Sequence, residues 1–328
     1  MPNRLRPAPL AAALALLLAT PCLGLAAPDV VTDFGPVESI TARVMAGVGA
    51  PVRILPPGAE PHSYSLRPSE ARALGAADLV VWIGPAMTPW LADPIDALAG
   101  KAEVLTLDRL PGLTLLPVRA AGPFEADGHM HDEVHDAEMH DEEAAETHRH
   151  GGAEAAPVID QHLWLDPENA VVFAEAIATE LARLDPDNAE SYRANAAAFD
   201  TEMDALRAEV TEILAPAHGR PFIVFHDAYQ YFENRFDMPA AGSIALHDAA
   251  APGAARVAEI RDRIRAEGVV CAFSEPQFPP KILATVTEGT DARTAALDPE
   301  GVDMTPGAGL YPALIRNLAT DLAACLDR

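Results

Sequence analysis

Between Asp187 and Leu214 the apolar residues Tyr192, Ala196, Phe199, Met203, Leu206, Val210 and Ile213 return at spacings of four and three. That is the period of one face of an α-helix. At about 1.5 Å of rise per residue the segment runs to roughly 40 Å, enough to cross an entire small domain. Asp185-Pro186-Asp187 punctuates its start, where proline suits the first turn. A helix of this length with one apolar stripe has to lie along whatever flanks it on both sides. It is expected to act as a strut whose stripe is core packing.

On both sides of the strut, short apolar or β-branched runs alternate with helical patterns. Before it, Val30–Thr32, Val52–Leu55, Leu79–Ile83 and Val104–Leu107 read as strands, with helices over residues 37–48, 69–76, 89–98 and 168–184. After it, Phe222–Phe225, Ala241–Leu246, Val269–Phe273 and Ala292–Leu297 read as strands, with helices over 228–235, 254–267, 281–288 and 311–326. Strands this apolar are expected to be buried on both faces, and strand–helix alternation implies parallel sheets. The expected architecture is α/β: an N-terminal parallel-sheet lobe over residues 28–185, the rigid connecting helix 187–214, and a C-terminal parallel-sheet lobe over 215–328. A chain of 328 residues is long enough for two such lobes. A cleft must lie between them.

Arg4 and Arg6, the apolar run Leu10–Ala19 and the small residues ending at Ala27 have the three-part build of a cleavable secretory signal over residues 1–27. The apolar run is short for a membrane span, and no later stretch offers the roughly 20 apolar residues needed. An exported chain is expected. With Cys22 removed in the leader, Cys271 and Cys325 remain, an even pair in an oxidising compartment that reads as one disulfide, with two buried free thiols as the alternative. The formal net charge is −26, and losing the two leader arginines makes it −28. Such a chain repels nucleic acid and anionic lipid and attracts cations.

Residues 121–157 contain a tract of a different kind. His129, His131, His135, His140, His148 and His150 are interleaved with eight acids between Asp132 and Glu146, without an apolar period. Such a composition buries too little to offset its conformational entropy, so a mobile loop is expected, collecting metal weakly through imidazoles and carboxylates. A solvated acidic linker is the plainer reading.

In open parallel sheets ligands bind beyond the carboxyl ends of strands. His62 follows the strand Val52–Leu55, His226 and Asp227 follow Phe222–Phe225, Glu275 follows Val269–Phe273, and Asp298 follows Ala292–Leu297. His162 stands in Asp160-Gln161-His162-Leu163-Trp164-Leu165-Asp166-Pro167, the ordered-looking end of the tract. Three imidazoles and one carboxylate make a tetrahedral zinc shell. Asp298 has a second reading, as the cap of the turn Pro299-Glu300-Gly301, and Glu275 suits a partner that orients a ligand imidazole. His218 and His247 read as surface residues. HExxH, GxSxG and GxxxxGK are all absent from the sequence, which argues against the common catalytic classes. A secreted zinc hydrolase with an open coordination position, or a metal-buffering adhesive protein, are the competing functions.

Gly58-Ala59-Glu60-Pro61-His62-Ser63-Tyr64-Ser65-Leu66-Arg67-Pro68, Ala77-Asp78-Leu79-Val80-Val81-Trp82-Ile83-Gly84, the segment Asp160–Pro167, Phe225-His226-Asp227-Ala228-Tyr229, Phe273-Ser274-Glu275-Pro276 and Leu297-Asp298-Pro299 together resemble the periplasmic zinc-binding components of bacterial zinc ABC importers. The resemblance spans nearly the whole chain after the leader. It implies two lobes on one helix, a Zn2+ ion bound between them as transported ligand, a histidine-rich acidic loop, a periplasmic location, and an inner-membrane ABC permease as partner of a monomer. It maps the ligand imidazoles onto His62, His162 and His226, with the fourth position open to Asp298, Glu60 or water. It also implies the Cys271–Cys325 bridge. Manganese-binding relatives place a carboxylate where this chain has His226, and imidazole favours zinc over manganese.

Overall fold

The computed structural model describes residues 27–119, 158–245, 253–278 and 281–327. The signal-like leader, the histidine tract and His247 lie outside the described residues. The first sheet has the order β2-β1-β3-β4, built from β1 (Val30–Thr32), β2 (Val52–Arg53), β3 (Leu79–Trp82) and β4 (Glu103–Thr106), all pairs parallel. The second repeats the pattern as β6-β5-β7-β8, with β5 (Phe222–Val224), β6 (Gly242–Ser243), β7 (Cys271–Ser274) and β8 (Arg293–Ala296), again all parallel. Helices α1 (Gly35–Val44), α2 (Pro68–Ala76), α3 (Pro89–Leu98) and α4 (Pro167–Leu184) belong to the first lobe. After α5 (Ala189–Leu214) come α6 (Gln230–Phe236), α7 (Ala254–Glu267), α8 (Lys281–Thr287) and α9 (Leu310–Leu326).

Burial on both faces holds for the central strands β1, β3 and β5. It fails at the edges. Val52 in β2 is 52% exposed and Val104 in β4 is 42% exposed, because an edge strand has a neighbour on one side only. The strut begins two residues later than the sequence pattern suggests, since Pro186–Asn188 winds first as a 3-10 turn. Its stripe is buried through Tyr192, Phe199, Met203, Leu206 and Val210, and Leu214 rather than Ile213 is the fully buried terminal residue.

The apolar core decides how the lobes relate. A single cluster runs from Val30 and Phe34 through α4 and α5 to Phe222, Phe273 and α9, so the inner faces of both sheets share one interior along the strut. Separate clusters sit on the outer faces, around Val80 and Trp82 in one lobe and Ile223 and Ala272 in the other. Large rotation of one lobe would expose the shared interior at roughly 25 cal/mol per Å2 of apolar surface. Cys271 in β7 is bridged to Cys325 in α9, which staples the last helix to a core strand. No helix among the described residues is long and apolar enough to cross a membrane.

Candidate metal centre

The carboxyl ends of both sheets open onto the space between the lobes, and each candidate residue is delivered there by a loop held in place by its own local bonds. On the first side, Trp90 in α3 donates its indole N–H to the Pro61 carbonyl at 2.6 Å, and the His62 amide donates to Glu60 Oε1 at 3.2 Å. Together they fix the backbone that presents His62. Downstream, the α2 start is closed by Glu70, which accepts from the Arg67 amide at 2.7 Å and from the Tyr64 hydroxyl at 2.9 Å.

His162 comes at the end of a short antiparallel bridge between Pro117 and Ile159. Asp160 then turns back on it: Oδ1 accepts the His162 amide at 3.0 Å and lies 2.7 Å from His162 Nδ1. Beyond it, the turn Leu163–Leu165 buries Trp164, whose indole donates across the cleft to the Pro299 carbonyl at 2.8 Å. Asp166 caps α4 through the Glu168 amide and takes a two-pronged bond from Arg235, both arms 2.7 Å.

On the opposite side, His226 stands two residues after the end of β5 and is buried, with 7% of its surface exposed. Glu275, 2% exposed at the end of β7, lies 2.7 Å from His226 Nδ1 through Oε1. A carboxylate can only accept, so in each pair Nδ1 carries the hydrogen and Nε2 presents its lone pair. The two Nε2 atoms approach each other across the cleft: His162 Nε2 and His226 Nε2 are 3.4 Å apart. A tetrahedral ion with metal–nitrogen bonds of about 2.0–2.1 Å requires nitrogens about 3.3–3.4 Å apart, which is the zinc geometry. Carboxylate, histidine and metal in line is also how proteins fix the tautomer of ligand imidazoles.

His62 lies beside them, its ring centroid 5.8 Å from that of His162. As the side chains stand, no three His, Cys, Asp or Glu side chains among the described residues form a finished metal shell. The His162–His226 pair has the required bite. Glu60, His62, His162, Trp164, His226, Glu275 and Glu300 all line one cavity of about 10 Å3 for the centre of a water-sized sphere. That is room for a single ion or water.

The acids around this cavity have separate tasks. Asp298 Oδ1 accepts the Gly301 amide at 2.8 Å and the Glu300 amide at 3.1 Å, so it holds the turn after β8 and does not line the cavity. Glu300 does line it. Burial, with the neighbouring Glu60, Glu275 and Asp298 carboxylates, pushes Glu300 well above the usual carboxylate range, and His226 pulls the other way. The region is therefore short of positive charge. His218 stands apart on the surface, its Nδ1 3.1 Å from the Asp237 carbonyl oxygen. Two contributors escaped the sequence reading. Asp160 sits two residues before His162, a spacing that also serves ordinary turns, and Glu300 looks like a turn residue until the cross-lobe contact at Pro299 places it.

Comparison with known proteins identifies the family. The family model described as zinc-uptake complex component A, periplasmic, matches residues 30–325. The high-affinity zinc uptake system protein ZnuA of Brucella suis is 47% identical over 308 residues, covering 91% of this chain and 92% of the relative. The ZnuA protein of Paracoccus denitrificans is 44% identical over 98% of this chain and 99% of its own length. A crystal structure of ZnuA superposes with a TM-score of 0.73 at 26% identity, over 92% of this chain and 99% of that one. The periplasmic zinc binding protein TroA from Treponema pallidum shares the fold, with a TM-score of 0.71 at 19% identity, over 92% of this chain and 99% of its own. The chain belongs to the ZnuA family of periplasmic zinc-uptake components.

Proposed function

We propose that this chain captures Zn2+ in the periplasm between its two lobes and passes it to the permease of an ABC importer. The single observation that carries the reading is the pair of opposed Nε2 atoms 3.4 Å apart, each imidazole backed by a buried carboxylate at 2.7 Å. His62, His162 and His226 are the proposed ligands. The fourth position is left to a carboxylate or water. For Asp298 to take it, the residue has to give up its hold on the Glu300 and Gly301 amides, whereas Glu60 and Glu300 already border the cavity. A cavity of about 10 Å3 favours an ion as the transported substrate over an organic substrate for hydrolysis. The leader over residues 1–27 is proposed to be cleaved on export, leaving a monomer whose lobes are divided as the sequence pattern indicates. The six histidines from His129 to His150 are proposed to hold further zinc weakly, apart from the cleft.

Zinc titration of the purified chain by calorimetry tests both sites. His62→Ala and His226→Ala should each abolish high-affinity binding, and deletion of residues 128–150 should remove the weak equivalents alone. Wild-type affinity in either histidine variant, or loss of the tight site on deletion, refutes the assignment.

A further inference from the structure

The two ligands that face each other across the cleft come from different lobes, so something has to set their spacing. Leu116–Arg119 pairs with Val158–Asp160: the Val118 amide donates to the Val158 carbonyl at 2.8 Å and the Asp160 amide to the Leu116 carbonyl at 2.9 Å. This ribbon ends in Asp160, the carboxylate behind His162. Arg119, at its other corner, reaches into the second lobe. Its Nε donates to Asp227 Oδ2 at 2.9 Å, Nη1 to Glu233 Oε2 at 2.9 Å and Nη2 to Glu233 Oε1 at 3.1 Å, and Nη2 also meets Asp227 Oδ1. Asp227 is the residue immediately after His226. Glu233 lies in α6 and also accepts the Ala240 amide at 3.1 Å.

The side chains involved are shielded, with Arg119 22%, Asp227 21% and Glu233 5% exposed. Two carboxylates gripped by one planar guanidinium form charge-assisted bonds of defined direction, which a flexible surface pair does not. Tyr231 in α6 adds a neutral tie to the same ribbon, accepting the Leu116 amide at 3.1 Å and donating to the Asp160 carbonyl at 2.9 Å. The chain next to each ligand is thus bound to the other ligand's lobe. Removing Arg119 leaves two acids close together with no cation between them, directly beside His226.

We propose that Arg119 is a positioning residue of the metal centre, fixing the His162–His226 spacing through Asp227 and Glu233 and thereby governing how long the ion is retained. The inference rests on the zinc-site reading above. It acts through preorganisation: ligands already held at the metal's bite lose less freedom on binding, and the gain falls mainly on the dissociation rate.

The test uses the full chain as wild type, Arg119→Met, Arg119→Lys and Asp227→Asn. Zinc release into excess chelator gives the dissociation rate, the Co2+ derivative reports ligand geometry through its visible bands, and melting of the metal-free protein monitors the fold. Release should be at least tenfold faster in Arg119→Met with altered cobalt bands. Arg119→Lys should recover part of the loss, because an ammonium supplies the charge but not the fork. Asp227→Asn should fall between wild type and Arg119→Met. If Arg119→Met does not fold, the other two variants carry the comparison. Release rates and cobalt bands within twofold of wild type overturn the proposal, and so does a lowered melting temperature with both unchanged, which is a purely structural role. Failure of the wild type itself to bind zinc tightly refutes the parent reading instead.

Discussion

Replacing Glu275 by Gln separates the metal centre from a mere histidine cluster. Glu275 is 2% exposed and lies 2.7 Å from His226 Nδ1. Glutamine keeps the volume and one acceptor oxygen, so packing is little changed and the effect falls on charge. A bond to a charged partner is worth roughly 1.5–3 kcal/mol net and a neutral one roughly 0.5–1.5. That difference of about 1–1.5 kcal/mol bears on the fold of the metal-free chain, in which the bond is already made. Affinity falls through loss of the carboxylate's pull on the metal-bound ring, and partners behind ligand histidines typically account for about 10–100-fold in metal affinity. Competition against a chelator of known affinity, at one pH and with metal-free protein, should therefore show zinc binding weakened by about 10–100-fold in Glu275→Gln, with the melting temperature of the metal-free form lowered by only a few degrees. An affinity within twofold of wild type would show that Glu275 does not tune a ligand, and the reasoning from the opposed imidazoles would fall with it.

Opening the Cys271–Cys325 bridge by a double Ser substitution frees a loop whose ends are 54 residues apart, for which the chain-entropy model gives about 4 kcal/mol as an upper figure; urea unfolding should show that loss while zinc affinity is retained. Asp33 is buried between the ends of β1 and β3, where it accepts the Phe34 amide at 2.9 Å and the Ile83 amide at 2.8 Å. Burial outweighs these amides and pushes its carboxyl up to about 7 from 3.8. The folded chain thus keeps a proton that the unfolded chain releases, so this group favours folding most at low pH and its contribution declines as pH rises from about 4 to 7. The decline is at most about 4 kcal/mol. In metal-free protein, urea unfolding at pH 5 and 7.5 should differ less in Asp33→Asn than in wild type; an identical difference refutes the assignment.

Much of the fold is legible in the sequence because its causes are local. The strut follows from the period Tyr192 to Val210, the strands from their apolar runs, and α3 and α7 fall on the expected residues because proline and glycine mark their starts. His62, His162 and His226 stand out because each follows a strand or an ordered turn. The edge exposure of Val52 and Val104 is not written locally, since which strands end up central depends on the crossover order β2-β1-β3-β4.

What the sequence by itself determined is the set of elements and the chemistry of the donors: two parallel sheets, one long helix, imidazoles suited to zinc and an even cysteine pair. The tertiary structure alone decided who works with whom. Glu275 lies 49 residues from His226 along the chain, and Arg119 lies 108 from Asp227. Asp298, which the sequence places among the ligands with a turn cap as the alternative, is seen holding the turn that carries Glu300 to the cavity. The reason is physical. Periodicity and capping act over a few residues, whereas the tautomer of an imidazole, the spacing of two ligands and the pairing of buried charges depend on groups that meet only when the two sheets close on their shared core.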